Sequence, residues 1–397
     1  MLLAAAGLAA AYAYRTATDR PESGLDTDLE GVSVSTATET VALPETTTEM
    51  SGPTQPERPP ERCWTEFGGN ARRTLALPDV NLGRPTKALW ARGVGGLMEY
   101  APSFCDGTLY VNTQTTGKTM AVDAESGRVL WTRRGGEKAS TPAIAGPRLI
   151  VSSQEGSVEA FVRATGKSLW KFEVEQAIES SPIAIGTRVY FGTKDGRLFA
   201  LDVRTGAVRW AFDTGGRINA SPSVFGGRVC ITTYAGSIFC VRQRDGRQLW
   251  GTYVKRDLLR YESFYASPST DGERIYAVAR TGKVVALSAR SGAVAWTQHM
   301  GALSYATAAV SEGRVFTAAH DGGVRAWRAT NGAPLWSRFL DGRVGGSPLV
   351  VGDLIFVSTA ARKTYALRVT DGVVVWRFNA GDFMAGIATD RRYYFSL

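Results

Sequence analysis

The chain has 397 residues, of which 44% are hydrophobic, with 44 glycines, ten tryptophans and two histidines. This length suits two average domains or one large repeat domain, and the glycine content favours many short strands joined by tight turns. Two histidines argue against a metal site with several histidine ligands. The formal charge is +9, and nothing in the sequence resembles a nucleic-acid-binding module.

The first 62 residues predict an export or anchoring segment followed by a linker. Residues 1–14 are apolar and alanine-rich, but a bilayer span takes about 20 residues. We interpret 1–15 as a signal peptide or truncated membrane anchor, although the first basic residue is Arg15 and an accidental alanine-rich terminus is the alternative. Residues 16–62 are rich in Thr, Ser, Pro and Glu and predict an acidic disordered linker. Both features predict an extracytoplasmic protein.

The charge is unevenly distributed along the chain. Residues 1–62 hold ten acidic residues and four arginines, and the remainder holds 42 basic and 27 acidic residues, a net charge of +15. A basic domain on an acidic linker suits an anionic partner, such as lipid headgroups or a cell-wall polymer. A scattered, solvated charged surface is the alternative.

From residue 90 onward the sequence repeats with a period near 40. Each of seven repeats ends in a tryptophan: Trp131, Trp170, Trp210, Trp250, Trp296, Trp336 and Trp376. Trp90, which precedes the first of them, has a similar sequence context. A glycine stands four positions before each of the seven, and an alanine ten positions before, replaced once by Cys240. A proline, usually after Ser or Thr, stands 28 or 29 positions before, except for Ala308 in the sixth repeat. Each unit predicts four short strands, and this period is typical of propeller blades.

The ends of the repeat region predict how the ring closes. Residues 381–389 and 391–397 have the pattern of two strands, and 89–90 has the context of a blade's final strand. We therefore expect residues 63–397 to form an all-β, eight-bladed propeller of four-stranded antiparallel blades. Its last blade would be closed by N- and C-terminal strands. The third strand of that blade would come from 64–67 or 75–80, or be absent.

The spacing Ala-x5-Gly-x3-Trp carries a family resemblance. Its closest copy is residues 200–210, and it resembles the tryptophan-docking motif of pyrrolo-quinoline-quinone-like (PQQ-like) propeller repeats. The resemblance implies that each indole lies against the glycine of an adjacent blade, which requires small residues there. In repeat type and blade number the chain is also similar to the propeller subunits of outer-membrane β-barrel assembly machines. It departs from them because it lacks a lipoprotein cysteine and because it has a long acidic linker. The binding partner of those subunits is therefore not carried over to this chain.

The resemblance also raises the possibility of an enzyme, because quinoprotein dehydrogenases share this repeat. It implies that such enzymes need a central quinone, an acidic calcium site, a catalytic aspartate and usually adjacent cysteines. This sequence has no adjacent cysteines, haem site, phosphate loop, nucleophile elbow or zinc motif. Asp123 and Asp202 have the position of turn caps, and His299 and His320 are expected on the surface. We predict no catalytic, cofactor-binding or metal-binding residues, with PQQ as the alternative cofactor.

The four cysteines predict two disulfides. Cys230 and Cys240 fall on neighbouring strands of one blade, and Cys63 and Cys105 could fasten the preceding segment to the first blade. An even number of cysteines in an exported chain favours disulfides, and four buried thiols are the alternative.

One blade junction is longer than the others. Eighteen residues separate Trp250 from Pro268, and the extra residues fall in 251–265. This loop combines basic and aromatic side chains that commonly anchor interfaces, although loop insertions are often neutral. The candidate partner loop consists of Lys255, Arg256, Arg260, Tyr261, Phe264 and Tyr265.

These features predict a monomeric, non-catalytic scaffold or binding module of the cell envelope. Its loop faces would contact a protein or an anionic envelope component, with membrane contact only through the N-terminal segment. The alternative is a quinone- or sugar-binding propeller, either a sensor or a dehydrogenase-like quinoprotein.

Overall fold

The computed structural model describes residues 10–16, 63–98, 100–138, 140–379, 385–388 and 392–396. These stretches form strands, turns and loops without a helix, so the described chain is all-β. It follows that they contain no helix of the length and apolarity that crossing a membrane requires. Most of the predicted signal segment and almost all of the predicted linker lie outside the described residues. Those two assignments stay predictions.

Seven blades carry the repeat, each with four antiparallel strands in chain order. Three strands precede them: β1 (Ala10–Thr16), β2 (Ala76–Leu77) and β3 (Pro85–Gly93). The first three blades are β4 (Ser103–Cys105), β5 (Thr108–Asn112), β6 (Lys118–Asp123) and β7 (Val129–Arg134); β8 (Ala143–Ala145), β9 (Arg148–Ser152), β10 (Ser157–Val162) and β11 (Ser168–Glu173); and β12 (Ile183–Ile185), β13 (Arg188–Gly192), β14 (Arg197–Asp202) and β15 (Val208–Asp213).

The next two blades are β16 (Ser223–Phe225), β17 (Arg228–Thr232), β18 (Ser237–Arg242) and β19 (Gln248–Tyr253); and β20 (Ser269–Thr270), β21 (Arg274–Val278), β22 (Lys283–Ser288) and β23 (Val294–His299). The last two are β24 (Ala309–Ser311), β25 (Arg314–Ala318), β26 (Gly323–Arg328) and β27 (Pro334–Phe339); and β28 (Leu349–Val351), β29 (Leu354–Thr359), β30 (Lys363–Arg368) and β31 (Val374–Asn379). Two strands follow, β32 (Ala385–Ala388) and β33 (Arg392–Ser396).

Strand position within a blade determines burial. The first strand faces the central channel, and the second and third strands are buried by neighbouring blades on both faces, as in β13 and β14. The fourth strand is the outer edge, and its side chains alternate between exposed and buried, as in β15. Blade connections and the turns between second and third strands lie on one face of the ring, called here the top face.

The tryptophans dock as the family resemblance implies. The ring of Trp170 covers Gly206 of the next blade so closely that an added Cβ would lie 2.6 Å from its Cε3 atom. The Trp170 Nε1–H donates to the carbonyl of Val203 at 3.1 Å, which satisfies its one polar group. Equivalent Nε1 bonds to the following blade are made by Trp90, Trp131, Trp210, Trp250, Trp296 and Trp336.

The expectation of eight four-stranded blades, the last closed by N- and C-terminal strands, is wrong. Seven blades have the repeat's chain order, and four of the other five described strands form a composite sheet, β3-β1-β33-β32, between the seventh and first blades. The strand of Trp90, β3, pairs there with β1 and not with a described C-terminal strand. The apolar sequence of 1–15 led to its interpretation as an export or anchoring segment. Sequence reasoning therefore missed that Ala10–Thr16 lies between β3 and β33, the strands expected to pair with each other.

The segment 64–77 crosses the channel and is called here the central plug. Its backbone meets the inner strands in turn, and Trp64 exchanges two 2.8 Å bonds with Phe104 of the first blade. Plug carbonyls then accept N–H groups of the second, fourth, fifth, sixth and seventh blades: Ile144, Val224, Thr270, Val310 and Val350. The inner strands are sheet edges, and the plug satisfies their unpaired donors. The segment 75–80, expected as a possible closing strand, contributes β2 instead, parallel to β28.

Arg73 anchors the plug at its centre. Its side chain is fully buried, and it donates to the carbonyls of Pro222 at 2.6 Å and Ser181 at 3.3 Å, and also to that of Phe67. Burial lowers the pKa of the guanidinium to about 9, against the opposing effect of Glu66, so Arg73 is protonated at neutral pH. A buried charge is stable only when its donors are satisfied, and these carbonyls provide that.

The four cysteines form two disulfides, as expected of an exported chain. Cys63 is bonded to Cys105, with their Cα atoms 4.4 Å apart, and this bond ties the start of the plug to β4. Cys230 is bonded to Cys240 across β17 and β18, with a Cα separation of 4.1 Å. No free cysteine is present among the described residues, so the alternative of four buried thiols is excluded.

Candidate functional site

The enlarged junction folds into an ordered loop on the top face. Lys255 and Tyr261 form an antiparallel bridge, and the Arg256 N–H donates to the Arg260 carbonyl at 2.9 Å. At the tip, the Asp257 carboxylate accepts the N–H groups of residues 259 and 260, each at 3.0 Å. Residues 255–261 are called here the Leu258 loop.

The base of the Leu258 loop is fixed by a buried carboxylate. Glu262 is 2% exposed, and it accepts from Thr281 Oγ1 at 2.7 Å and pairs with Lys283 Nζ at 3.1 Å. Lys283 Nζ also donates to the Lys255 carbonyl at 2.5 Å, so one ammonium group joins both ends of the loop. The loop is therefore held rigidly on the fifth blade.

The tip of this loop exposes two leucines that sequence reasoning missed. Leu258 and Leu259 are each 93% exposed, and Tyr261 beside them is 50% exposed. The signal was present in the sequence as a Leu-Leu pair within an insertion, next to Arg260. Two large apolar side chains held outward by a fixed backbone are unusual on a surface that contacts only water.

The six residues of the predicted partner loop separate into two groups. Lys255, Arg256, Arg260 and Tyr261 lie on the exposed Leu258 loop. Phe264 is 0% exposed and packs in the core of the fourth and fifth blades, so it presents nothing to a partner. Tyr265 turns inward to the channel, where its ring meets Tyr305 at 5.4 Å.

A second site lies in the channel above the plug. A cavity of about 500 Å³ is floored by Trp64, Phe67 and Leu75 of the plug, and its walls come from the channel side of the blades. Its side chains include Tyr265, Tyr305, His320, Arg343, Glu179 and Asn219. Cavities of this size commonly hold small molecules.

Hydroxyl groups from five blades line this cavity and are called here the hydroxyl belt. Each member stands directly before the proline position of the repeat, and its oxygen accepts the backbone N–H of the equivalent residue one blade earlier, at 2.9 to 3.1 Å. The belt consists of Ser181, Ser221, Ser267, Thr307 and Ser347. The Ser/Thr-Pro pattern was visible in the sequence, but only the ring places these hydroxyls around one space.

The charged groups of the cavity are distributed unequally. Glu179 is paired with Lys194 at 2.5 Å, so its charge is largely compensated. Arg343 is exposed at the opposite wall, where the chain's described residues offer its guanidinium no carboxylate. Burial lowers the pKa of the His320 imidazole, and Arg343 lowers it further. His320 was predicted to lie on the surface and instead contacts Tyr305, with ring centroids 5.2 Å apart.

The cavity does not fit the quinone and calcium centre that the family resemblance implies. Such a centre needs several carboxylates, and among the described residues that line the cavity only Glu179 carries one. The cluster of Cys63, Cys105 and Asp106 does not fit a metal either, because its two cysteines are bonded to each other.

The two repeated aspartates stabilise turns, as predicted. Asp202 accepts from the Arg204 N–H at 2.8 Å, the Thr205 N–H at 3.1 Å and Arg209 at 2.6 Å. The hydrogen bond from Arg209 is the main cause that lowers the pKa of Asp202 to about 2. Asp123 likewise accepts from Ser126, and neither carboxylate reaches the channel cavity.

Comparison with known proteins identifies similar chains. A family model described as outer membrane protein assembly factor BamB matches residues 80–298 and 280–393. A BamB from Xanthomonas campestris is 32% identical over 115 residues, which cover 26% of this chain and 27% of that protein. The chain thus aligns with 15% to 27% of the length of the curated relatives it matches.

Solved structures extend the likeness to the whole fold. BamB from Moraxella catarrhalis has a TM-score of 0.66 at 18% identity, over 75% of this chain and 96% of that chain. A europium-containing methanol dehydrogenase also has a TM-score of 0.66, at 15% identity, over 83% of this chain and 87% of that chain. Because BamB and a methanol dehydrogenase match this chain equally well, these likenesses show the fold alone.

Proposed function

This chain belongs to the family of the outer membrane protein assembly factor BamB, and we propose that it is a non-catalytic scaffold of the cell envelope. In this proposal its Leu258 loop docks a protein partner that takes part in outer-membrane protein assembly. The single observation that carries the proposal is the rigid display of Leu258 and Leu259, each 93% exposed.

The energetics favour docking at this loop. Burial of one leucine side chain contributes about 1.5–3 kcal/mol, so two adjacent leucines can supply a substantial part of a specific affinity. The Glu262 cluster and the Asp257 turn already hold the loop, so little conformational entropy is lost on binding. The loop therefore has the properties of a preorganised interface anchor.

The surrounding charge indicates the chemistry of the partner. Arg260 is paired with Asp257 at 2.7 Å, but the side chains of Lys255 and Arg256 have no carboxylate partner among the described residues. The loop thus presents an apolar tip beside two cations. A complementary partner has an apolar groove with acidic residues at its rim.

The disulfides indicate an oxidising, extracytoplasmic compartment, which agrees with a role in the envelope. Ala10–Thr16 is a strand of the composite sheet, so the membrane tether that is part of the proposal would have to come from other residues of 1–62. A dehydrogenase function has less support, because the cavity has a single carboxylate among its described lining residues, and that group is already paired.

Site-specific crosslinking in cells tests the docking surface. A photo-crosslinking residue at position 258 of the full chain should capture a discrete partner that is an outer-membrane protein or a component of its assembly machinery. Adding the change Leu259→Asp to the same chain should abolish that product, because a charge cannot enter an apolar groove.

A crosslinker at Leu169, which is 45% exposed on outer strand β11, is the matched control and should give no such product. The proposal is wrong if both positions capture the same proteins, or if Leu259→Asp leaves the product unchanged.

A further inference from the structure

The channel cavity has features that the proposed docking function does not use. The hydroxyl belt, an aromatic pair and a free guanidinium converge on one space of about 500 Å³. None of them is needed for the Leu258 loop, which lies outside the cavity. These groups therefore indicate a separate binding site.

The hydroxyl belt offers hydrogen-bond donors. A hydroxyl group can accept and donate at once, and the belt oxygens already accept a backbone N–H. Among the described residues no acceptor is hydrogen-bonded to the O–H protons of Ser181, Ser221 or Ser267, which are 2%, 5% and 5% exposed. Several donors around one cavity suit a ligand with many oxygen acceptors.

The cavity also offers acceptors, which distinguishes its ligand from a simple anion. Asn219 is 9% exposed, and its buried Oδ1 accepts no hydrogen bond from the described residues. Its amide group donates to Glu179, whose carboxylate provides a second acceptor nearby. An inorganic anion or a flat aromatic acid has too few donors to use these atoms, whereas a sugar has several.

Apolar surface completes the recognition pattern. The plug supplies Trp64 and Leu75 at the floor, and Tyr265 and Tyr305 stand edge to face at 5.4 Å in the wall. The C–H faces of a sugar ring pack well on such surface, while its hydroxyls reach the polar groups. Arg343 adds a cation that a neutral sugar would leave unused.

From this juxtaposition we propose that the channel cavity binds an acidic saccharide. The ligand consists of one or two sugar units, one of which carries a carboxylate. The ring lies above the plug, its hydroxyls bond the hydroxyl belt, Asn219 and Glu179, and its carboxylate bonds Arg343. This site is independent of the Leu258 loop, so either assignment can fail without the other.

Calorimetric titration of the purified full chain tests the site. Glucuronate should bind at least tenfold more tightly than glucose, its neutral counterpart, and more tightly than benzoate, which has a carboxylate without hydroxyls. Arg343→Gln should weaken glucuronate binding about tenfold and leave glucose binding unchanged, because it removes only the charge-assisted contact.

The control and the belt variant complete the test. Arg290 is an exposed arginine on an outer turn away from the cavity, and Arg290→Gln should change neither affinity. Ser267→Ala should weaken binding of both sugars, with a melting curve recorded to show that the chain is folded. The proposal is overturned if glucuronate binds no better than glucose, if benzoate or a quinone binds more tightly, or if Arg343→Gln has no effect.

Discussion

The central plug and the Leu258 loop both lie outside the repeat, but their backbones are satisfied in opposite ways. The plug exchanges hydrogen bonds with the inner strands of most blades and has a fully buried arginine at its centre. The Leu258 loop bonds mainly to itself and, through the Lys255 carbonyl, to the Lys283 ammonium group, and it leaves two leucines in solvent. The difference indicates that the plug holds the blades together, while the loop is free to serve recognition.

The largest expected effect concerns the disulfide of the plug. Replacing Cys63 and Cys105 by alanine should lower the free energy of unfolding by about 4 kcal/mol, because the bond closes a long loop in the unfolded chain. The shorter loop between Cys230 and Cys240 should contribute about 3 kcal/mol. The sequence separations behind this order are 42 and 10 residues. Denaturant unfolding of both double variants measures the two losses in unfolding free energy. A larger loss for the variant without the Cys230–Cys240 bond would contradict the stabilising role given to the plug disulfide.

The next effect concerns Arg73. Arg73→Ala should lower the free energy of unfolding by about 3 kcal/mol, because it leaves the carbonyls of Pro222, Ser181 and Phe67 without this donor in a buried site. Its neighbour Arg72 is exposed, and among the described residues its side chain donates only to the Asp271 carbonyl, at 3.3 Å. Arg72→Ala should therefore stay within about 0.5 kcal/mol of the parent chain in the same unfolding experiment. Equal losses in the two variants would show that the plug is not anchored by Arg73.

A smaller effect concerns Asp202, whose carboxylate stabilises a turn of the repeat. The folded-state pKa of Asp202 is about 2, below its ordinary value of 3.8, so its contribution to stability is present above pH 4 and is lost as the pH falls towards 2. Asp202→Asn should cost about 1–2 kcal/mol at pH 7 and almost nothing at pH 2. Unfolding curves of parent and variant across this range measure the difference. A constant difference at every pH would exclude this carboxylate as the cause.

The sequence predicted the features that the repeat itself encodes. Gly206 and Ala200 recur at fixed distances from Trp210 because the docked indoles need small residues. The spacing therefore predicted the strand pattern, and the family resemblance implied the docking. Cys230 and Cys240 were recognised in the same way, as departures from the repeat.

Features that depend on contacts between distant segments could not be predicted. Ala10–Thr16 has the apolar composition of an export segment, and only its pairing with β3 and β33 shows its place in the composite sheet. The plug has no strand periodicity, because its bonds reach a different blade at almost every step. Phe264 was expected to be exposed, but its N–H bonds to the Thr233 carbonyl and its ring enters the core.

The channel cavity was missed for the same reason. Tyr305 and Arg343 are widely separated in sequence, and His320 has the ordinary appearance of a turn residue. Their proximity arises only when the blades form a ring around the plug.

The most direct test of the central claim is complementation with a chain in which Leu258 and Leu259 are both replaced by aspartate. In cells that lack the parent chain, this variant should fail to restore normal levels of folded outer-membrane proteins. Its purified form should unfold within about 0.5 kcal/mol of the parent, because both side chains are in solvent. The Arg343→Gln chain should complement fully. Full complementation by the double-aspartate chain would contradict the claim that this protein acts through the Leu258 loop.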